Sequence, residues 1–401
     1  MYLAFTKNFS GQITAPSSKS ETLRYLFLSV LQNEQKIIYC NNPCDDVLNA
    51  IYCINELGIE TTVTKSQIKI SPKTEFNRQR IYNINPGESA FVYRFLLLFC
   101  AFFGLRAVFN LSESLMSRPI DDIEKIFKDN NIKFEKKYNL FVIQGGKIKG
   151  KNFNFVKVFT SQTISSLLIL QTYFEDIKIN HYGINNKYID LTLDLIEKSK
   201  KSNQFYVFGD YSSSSTFMTM AALNGEVSFS NLEINSKQPD KKILDILKDY
   251  GAKIKYEKDI LTVSKAEHKK ALTVDIDNCI DLFPNLVMLF AFTNGTPTIK
   301  NISRAKIKET DRVLSMTKAL DYLKIKYKLQ ENDLIIYGSE NIEGKQFELN
   351  TFFDHRTAMS FFIPTVFDKY IILDDIDCIK KSYYNFVLDF HNCKGELLAK
   401  L

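Results

Sequence analysis

The sequence has little of what usually builds metal centres and disulfide frameworks. Its 401 residues include four histidines and seven cysteines, and no two cysteines form a Cys-x-x-Cys pair. An odd number of scattered cysteines is typical of unpaired thiols in a reducing compartment. We therefore expect no structural metal, no disulfide framework and no cofactor.

Long apolar runs and dense positive charge are also scarce. The most apolar stretch, FLLLFCAFFG at 95–104, is shorter than the roughly 20 residues that span a bilayer, so it predicts a buried helix. MYLAFTKNFSGQITAP lacks the apolar core of a secretory signal. The net charge of +6 is modest, and no basic stripe points to nucleic acid. We expect a cytoplasmic protein that binds neither membrane nor nucleic acid.

One pattern recurs along the chain: small or polar residues precede an apolar run that suits a buried helix. It starts at six positions, which are Ser17, Gly87, Thr160, Tyr211, Asp281 and Asp354. Each of the last three lies 194 residues after its counterpart among the first three. Since 401 residues suffice for about two domains, the repeat predicts two similar halves, each of three stacked supersecondary units.

Short β-rich pieces alternate with short polar helices between these runs. The predicted strands are KIIYC (36–40), ETTVT (60–64), QIKISP (67–72), NLFVIQ (139–144), EVSFSNLEI (226–234) and DLIIYG (333–338). The predicted polar helices are PIDDIEKIFKDNN (119–131), DKKILDILKDYG (240–251) and DRVLSMTKALDYL (311–323). This alternation predicts an α/β (α+β) fold, with a ligand site in the cleft between the two halves.

The starts of the apolar helices are suited to anions, because their backbone N–H groups are unpaired and the helix dipole is positive there. Small residues at 17–18, 87, 160–161 and 212–215 would allow close approach. The alternative is that these serines and threonines are only N-caps. Basic residues near the starts or connecting loops favour a shared anion site; they are Lys19, Arg24, Arg94, Arg118, Arg312 and Arg356.

A series of motifs extends this hypothesis over residues 16–386. In chain order they are SSKSETLR, GESAFVYR, SRPIDDI, TSQTISSLL, YIDLTL, GDYSSSSTFMTMAAL, KIKETDR, DHRTAMSF and KKSYYNF. They resemble PGSKSxxxR, GESGxxxR, ERPIxxL, SSQFxSALL, YIDxTL, GDxSSAxYFLAAA, RxKETDR, DHRxAMxF and SKTFPxF of the enolpyruvyl transferase family. GDYSSSS alone is weak evidence, whereas KETDR followed by DHRTAM is specific.

The resemblance implies a fold and a reaction. The fold would have two domains of three βαβαββ-like units around buried helices, 16–208 and 1–15 plus 209–401, with chain crossings near Ala15–Pro16 and Gly209. The reaction would transfer the enolpyruvyl group of phosphoenolpyruvate to the 5-hydroxyl of shikimate 3-phosphate in a monomeric enzyme. Both substrates carry a carboxylate and a phosphate, which explains the need for arginine and lysine.

The binding residues follow from the same motifs. Shikimate 3-phosphate would be bound by Lys19, Ser20, Arg24, Thr160, Ser161, Gln162, Asn185, Tyr188, Asp281, Arg304 and Lys308. Phosphoenolpyruvate would be bound by Lys19, Ala90, Arg118, Gln162, Arg312, Arg356 and Lys381, with Arg94 in the same surroundings.

The resemblance also implies the catalytic residues, which are Asp281, Lys308, Glu309 and Lys19. Asp281 resembles the base near the 5-hydroxyl, with a helix N-cap as the alternative. Glu309 resembles the acid that protonates the methylene carbon, and Lys308 would relay or stabilise charge beside it. Asp311 is expected to cap the following helix. His355 is either a structural imidazole or a catalytic group.

Several positions depart from the family pattern. Ala90 replaces a glycine of the phosphoenolpyruvate pocket, and Phe91 stands where a small residue is common; Ser17, Lys306 and Asn185 are further replacements. Two rival functions remain open. One is the sister activity on UDP-N-acetylglucosamine, whose enzymes usually carry a reactive cysteine, a role for which Cys53 and Cys100 in apolar runs are poor candidates. The other is a diverged, non-catalytic anion-binding protein.

Overall fold

The structure of the protein is a computed structural model. It describes residues 1–32, 34–73, 75–156, 160–181 and 186–399. The α-helices are α1 Lys19–Val30, α2 Asp45–Glu56, α3 Ala90–Phe103, α4 Glu113–Met116, α5 Asp121–Asp129, α6 Gln162–Gln171, α7 Lys187–Ser199, α8 Tyr211–Asn224, α9 Ile243–Tyr250, α10 Phe283–Ala291, α11 Arg312–Tyr322, α12 His355–Ser360 and α13 Phe386–Asn392. Short 3-10 helices lie at Pro239–Lys242, Ile280–Leu282, Ile302–Ile307, Ile363–Phe367 and Asp377–Lys381.

The strands are short and numerous. They are β1 Tyr2–Thr6, β2 Ser10–Thr14, β3 Lys36–Tyr39, β4 Thr61–Val63, β5 Gln67–Ile70, β6 Ile81–Ile84, β7 Arg106–Asn110, β8 Lys133–Lys137, β9 Leu140–Gly145, β10 Asn152–Asn154, β11 Lys178–Asn180, β12 Gln204–Tyr206, β13 Glu226–Ser230, β14 Lys253–Glu257, β15 Ile260–Ser264, β16 Thr273–Asp275, β17 Thr298–Lys300, β18 Lys326–Gln330, β19 Asp333–Tyr337, β20 Gln346–Leu349, β21 Tyr370–Leu373 and β22 Gly395–Ala399. The predicted strand at 226–234 is too long, because Asn231 adopts a left-handed conformation (φ 66°) that ends the extended run.

Backbone contacts divide the chain into two compact units. One comprises Met1–Ser17 with Phe208–Leu401, and the other comprises Ser18–Val207. We call them the 208–401 unit and the 18–207 unit.

One sheet plan recurs in both units. The 18–207 unit has the strand orders β12-β3-β5-β4 and β6-β7-β9-β8 and the pair β10-β11, and the 208–401 unit has β2-β13-β15-β14, β16-β17-β19-β18 and β20-β21-β1-β22. In each four-stranded sheet of the described ranges, the first two strands are parallel and the later neighbours are antiparallel. The α/β fold class is confirmed.

Four of the helices predicted from the apolar runs lie between the two strands of a parallel pair and supply the crossover that such strands require; they are α3, α6, α10 and α12. A helix precedes the second strand of each parallel pair: α1 before β3, α3 before β7, α6 before β11, α8 before β13, α10 before β17 and α12 before β21. Because residues around the whole circumference of α3, α8 and α10 are apolar or small, these helices are buried on every side.

Each unit has its own core. In the 18–207 unit, α1 and α3 meet through Phe27 and Phe95, whose rings stack with centroids 3.9 Å apart. In the 208–401 unit, Phe217 of α8 packs against Phe386 of α13 with centroids 5.1 Å apart. The stretch 95–104 is part of the buried helix α3, which ends at Gly104 in the left-handed region (φ 71°). Within the described ranges, no helix has the length and apolarity needed to cross a bilayer.

Candidate active site

The 208–401 unit gathers charged residues from four loops and helix starts. Asp281 lies in a 3-10 turn before α10, Lys308 and Glu309 precede α11, and Arg312 is the first residue of α11. Asp354 is the N-cap of α12, and Lys381 ends the last 3-10 turn. We call these six residues the acid–base cluster.

Arg312 is the centre of the acid–base cluster. Its side chain is 1% exposed, and it donates from Nε to Asp354 Oδ2 (2.8 Å), from Nη1 to Asp281 Oδ1 (2.7 Å) and from Nη2 to Glu309 Oε2 (2.7 Å). Burial acts to lower the pKa of Arg312, but the three carboxylates outweigh it and raise that pKa. Arg312 therefore neutralises carboxylates of its own chain here, and its predicted contact with phosphoenolpyruvate stays a prediction.

Asp281 is held by two cations. Its Oδ1 lies 3.0 Å from Lys308 Nζ and 2.7 Å from Arg312 Nη1. Burial acts to raise the pKa of Asp281, but Lys308, Arg312 and Arg356 outweigh it and hold that pKa well below its ordinary value. No side chain caps α10 or the 3-10 turn before it, so the N-cap alternative for Asp281 is wrong.

Lys308 and Glu309 lie on the two sides of this network. Burial lowers the pKa of Lys308, while the nearby Asp281 opposes that shift. Glu309 binds Arg312 with Oε2 and approaches Lys381 Nζ with Oε1 at 3.3 Å. The residues predicted as base, charge relay and acid are thus connected through shared partners.

The start of α12 completes the acid–base cluster. The Asp354 carboxylate accepts hydrogen bonds from the backbone N–H groups of Arg356 (2.8 Å) and Thr357 (3.2 Å), while also binding Arg312. Arg356 Nη1 donates to Ser213 Oγ (3.2 Å), and Nη2 lies 3.9 Å from Asp210 Oδ1. Arg356 Nε is buried without a hydrogen-bond partner in the described part of the chain. This guanidinium therefore retains a donor for an incoming anion.

Three side chains at this place have atoms of the kind that bind metal ions. Ligand atoms of Glu309, Asp354 and His355 lie within 4.8 Å of one another. Glu309 and Asp354 are already bound to Arg312, and Lys381 lies beside Glu309. A divalent cation would be repelled by these neighbouring charges, so the residues fit an ion-pair network better than a metal centre. The choice between a structural and a catalytic His355 stays open.

Asp240 lies near Asp281 and Arg356, and the sequence motifs did not indicate it. It is fully buried in the 3-10 turn Pro239–Lys242 and accepts a hydrogen bond from Ser212 Oγ. Burial, with a contribution from Asp281, raises the pKa of Asp240 to about 7. The sequence signal was only an aspartate at the start of an amphipathic helix, which is common at solvated helix starts.

Lys19 and Ser20 lie at the start of α1 in the 18–207 unit. Ser18 Oγ accepts from the backbone N–H of Glu21 at 3.4 Å, so the N-cap alternative holds here. Lys19 Nζ lies 3.0 Å from Asp46 Oδ2, a buried carboxylate that sequence reasoning missed. The Ser20 carbonyl accepts from Arg24 Nη1 (2.9 Å).

Arg24 is buried, and its hydrogen bonds go to neutral groups. Its Nε donates to Thr192 Oγ1 (2.8 Å) and its Nη2 to Ser165 Oγ (3.5 Å). Its guanidinium carbon lies 4.7 Å from the ring centroid of Phe91 and 5.8 Å from that of Tyr188. Burial lowers the pKa of Arg24 to about 10. The structure thus brings together Arg24, Ser20 and Tyr188.

Gln162 and Arg94 form a second contact group in the 18–207 unit. Arg94 donates to Gln162 Oε1 and, at 2.7 Å, to the Pro119 carbonyl oxygen. The Thr160 hydroxyl accepts from the backbone N–H of Gln162 at 3.2 Å, and neither Ser89 nor Ser161 makes a side-chain cap bond.

Four predicted residues remain, which are Ala90, Arg118, Arg304 and Asn185. Ala90 and Arg118 are buried. Arg304 donates from Nη1 to the Asp277 carbonyl oxygen (2.7 Å), rather than to the acid–base cluster. Asn185 lies outside the described residues.

The two cysteines considered for the sister activity are inert in character. Cys53 and Cys100 are buried, and burial raises the pKa of the Cys53 thiol to about 12 and that of Cys100 still further. Because the thiolate is the reactive form, neither residue fits a reactive cysteine.

Comparisons with known proteins agree along nearly the whole chain. The family model "EPSP synthase (3-phosphoshikimate 1-carboxyvinyltransferase)" matches residues 4–200 and 196–390. The 3-phosphoshikimate 1-carboxyvinyltransferase of Clostridium beijerinckii is 30% identical over 96% of this chain and 95% of its own length. That of Pyrococcus furiosus is 30% identical over 96% of this chain and 97% of its own. An EPSP synthase structure from Acinetobacter baumannii has a TM-score of 0.78 at 17% identity, covering 99% of this chain and all of its own, and supports the fold.

Repeated α/β units that carry a buried network of acids, bases and cations define a transferase of the enolpyruvyl type. More narrowly, the chain belongs to the EPSP synthase (3-phosphoshikimate 1-carboxyvinyltransferase) family.

Proposed function

We propose that the protein transfers the 1-carboxyvinyl group of phosphoenolpyruvate to the 5-hydroxyl of shikimate 3-phosphate and releases phosphate. The reaction belongs to the shikimate pathway of aromatic amino-acid biosynthesis. The observation that carries the proposal is the ion-paired connection of the partly exposed Lys308, Asp281 and Glu309 through the buried Arg312, within a chain of this family.

The acid–base cluster can supply both proton transfers of the reaction. Asp281 accepts the proton of the 5-hydroxyl while the hydroxyl oxygen bonds to the central carbon of phosphoenolpyruvate. At the same time Glu309 donates a proton to the methylene carbon. In the second step phosphate leaves with the proton that Asp281 took from the 5-hydroxyl, and the new methyl group loses a proton to Glu309, which so changes from acid to base. Lys308 lies 3.0 Å from Asp281. It stabilises the negative charge that Asp281 and Glu309 carry at different stages of the reaction.

Substrate binding provides a way to activate Asp281. A carboxylate with a strongly lowered pKa is a weak base, and cations lower the pKa of Asp281 here. The carboxylate and phosphate of the substrates attract the same cations, Lys308 and Arg356 among them. Their partial neutralisation raises the pKa of Asp281 and so makes it a stronger base when the substrates are present.

Substrate-binding roles are assigned by the family motifs, and local geometry supports some of them. For shikimate 3-phosphate the residues are Lys19, Ser20, Arg24, Thr160, Ser161, Gln162, Asn185, Tyr188, Asp281, Arg304 and Lys308. For phosphoenolpyruvate they are Lys19, Ala90, Arg118, Gln162, Arg312, Arg356 and Lys381. The strongest support concerns Arg24, a buried guanidinium whose hydrogen bonds go to neutral oxygens. A substrate carboxylate would add negative charge beside a guanidinium whose burial Glu21 offsets only in part.

The proposal extends to the organisation of the protein. We infer that the two units are the predicted domains, 16–208 and 1–15 plus 209–401, and that the enzyme is a cytoplasmic monomer without a cofactor.

Phosphate release tests the proposed function directly. Purified protein is mixed with phosphoenolpyruvate and shikimate 3-phosphate, and phosphate is measured with a coupled enzyme assay. We expect release by the unmodified protein and a loss of at least about 100-fold in kcat for Asp281→Ala and Glu309→Ala, the usual scale for a proton-transfer group. Asp245→Ala is the control, because Asp245 is an exposed carboxylate of the same unit, paired only on the surface with Lys242. No release from the unmodified protein, or full activity in both variants, contradicts the proposal.

A further inference from the structure

Two kinds of group hold the Arg24 guanidinium. Its N–H groups donate to the Thr192 hydroxyl, the Ser20 carbonyl and, at 3.5 Å, the Ser165 hydroxyl. Its central carbon lies over the Phe91 ring, 4.7 Å from the ring centroid. The hydrogen bonds and the ring contact together restrict the position and orientation of the group.

Phe91 is itself held in place. Its ring meets the Phe27 ring edge-on, with centroids 5.7 Å apart and an interplanar angle of 64°. Phe27 stacks on Phe95 at 3.9 Å and 12°. Arg24 and Phe27 belong to α1, whereas Phe91 and Phe95 belong to α3. The rings of Phe91, Phe27 and Phe95 therefore form a row at the contact between α1 and α3, and the guanidinium packs on the Phe91 end of this row.

The Phe91 ring also stabilises the buried positive charge of Arg24. A buried guanidinium whose hydrogen bonds go to neutral oxygens loses hydration, and the charge of Glu21 compensates this loss only in part. The negative face of an aromatic ring attracts a cation, and this attraction is strongest where water is excluded. Unlike a carboxylate, the ring attracts the cation without accepting a hydrogen bond from any of its N–H groups.

We propose that Phe91 is a positioning residue, which fixes the plane of the Arg24 guanidinium so that its edge meets the carboxylate of shikimate 3-phosphate. The inference rests on the proposed function, because it takes that substrate as the source of the carboxylate. It assigns to Phe91 a role in affinity for one of the two substrates, and no role in the chemical step.

Substitutions along the ring row separate positioning from packing. Phe91→Met keeps an apolar side chain of similar size but removes the aromatic face. Phe91→Tyr keeps the aromatic face. Phe95→Met removes a ring from the same helix and the same row, but that ring does not contact Arg24.

The experiment measures Kd for shikimate 3-phosphate by titration calorimetry, KM for each substrate, and the urea midpoint of unfolding. For Phe91→Met we expect Kd and KM for shikimate 3-phosphate to rise about 5- to 30-fold, the range of a desolvated cation–π contact. KM for phosphoenolpyruvate and kcat should change less than about 2-fold. Phe91→Tyr should bind as the unmodified protein does, and Phe95→Met should lower the urea midpoint while leaving Kd unchanged.

Two results would overturn the inference alone: unchanged shikimate 3-phosphate binding by Phe91→Met, or an equal loss in Phe95→Met. Failure of the unmodified protein to bind shikimate 3-phosphate would instead refute the proposed function, and the inference with it. Calorimetry distinguishes the two cases, because it reads binding even in a chain that releases no phosphate.

Discussion

Two buried arginines in this molecule are stabilised in opposite ways. Arg312, in the 208–401 unit, binds three carboxylates, so its charge is compensated before any ligand arrives. Arg24, in the 18–207 unit, bonds to hydroxyl and carbonyl oxygens and lies over a ring. The first arrangement sets the protonation of neighbouring acids, and the second leaves positive charge for a substrate. Burial of a cation alone therefore does not reveal its use; the charge of its partners does.

The largest expected effect comes from removing each arginine in turn. Arg312→Met would leave Asp281, Glu309 and Asp354 close together without their shared cation. We expect the free energy of unfolding to fall by about 3–5 kcal/mol, as when one partner of a buried ion pair is lost. Urea denaturation at neutral pH measures this loss.

Arg24→Met provides the matched comparison, since it removes a guanidinium of similar burial. Thr192 Oγ1 and Ser165 Oγ are 2.9 Å apart and keep each other as hydrogen-bond partners. We therefore expect a loss below about 1.5 kcal/mol, the scale of an ordinary hydrogen bond, together with a sharp loss of shikimate 3-phosphate binding. Equal losses of stability in the two variants would show that the nature of the partners does not matter.

A medium effect is expected from pH through Asp240, which lies near the acid–base cluster. The pKa of Asp240 is raised from 3.8 to about 7, chiefly by burial, so the folded state holds its proton more tightly than the unfolded state does. Its stabilising contribution is full below pH 4, declines as the pH rises, and is lost above about pH 7. The decline can reach about 1.4 kcal/mol per pH unit.

Asp240→Asn tests this by removing the titration while retaining a buried polar side chain. We expect the variant to show a flatter dependence of unfolding free energy on pH between 4 and 7 than the unmodified protein. Asp281, whose pKa is lowered, loses its contribution only below about pH 4 and does not interfere in this window. Parallel pH profiles for the two proteins would contradict the prediction.

The smallest effect concerns the turns that lead into two buried helices. Before α3, the left-handed position is taken by Gly87 (φ 59°), which adopts it without strain. Before α12, Phe352 and Phe353 both adopt φ 54°, although side chains with a Cβ disfavour it. Because Phe353 is 75% exposed, its side chain contributes little packing.

We expect Phe353→Asn to raise the free energy of unfolding by about 0.5–1 kcal/mol, because asparagine tolerates the left-handed region. Phe353→Ala removes the same ring without that tolerance and should give no gain. Thermal unfolding of both variants measures the difference, and equal gains would assign the effect to the lost ring.

The sequence predicted the repeats and much of the acid–base cluster, for a physical reason. Helix starts depend on local patterns, so the six apolar runs marked the six buried helices, and KETDR with DHRTAM placed Lys308, Glu309 and Arg312 near Asp354. The predicted cap role of Asp311 is confirmed by its acceptance of the Leu314 backbone N–H at 3.0 Å.

Partners that come from distant segments could not be predicted in the same way. Asp46 pairs with Lys19, and Thr192 binds Arg24, only because separate helices pack together. A carboxylate such as Asp240 looks like a solvated helix residue until its burial is known. The motifs therefore identified many residues of the site, but they could not predict the charge that these residues carry.

The strand β1 has a consequence for how the protein is made. Tyr2 pairs with Leu373 in β21 and with Ala399 in β22, so this sheet joins the first strand of the chain to its last. During synthesis, β1 leaves the ribosome long before either partner exists, whereas the 18–207 unit already has every strand of its sheets. Contacts between such distant residues form slowly. We expect the 18–207 unit to fold first on the ribosome, with β1 held as an unpaired edge until β21 and β22 have been made.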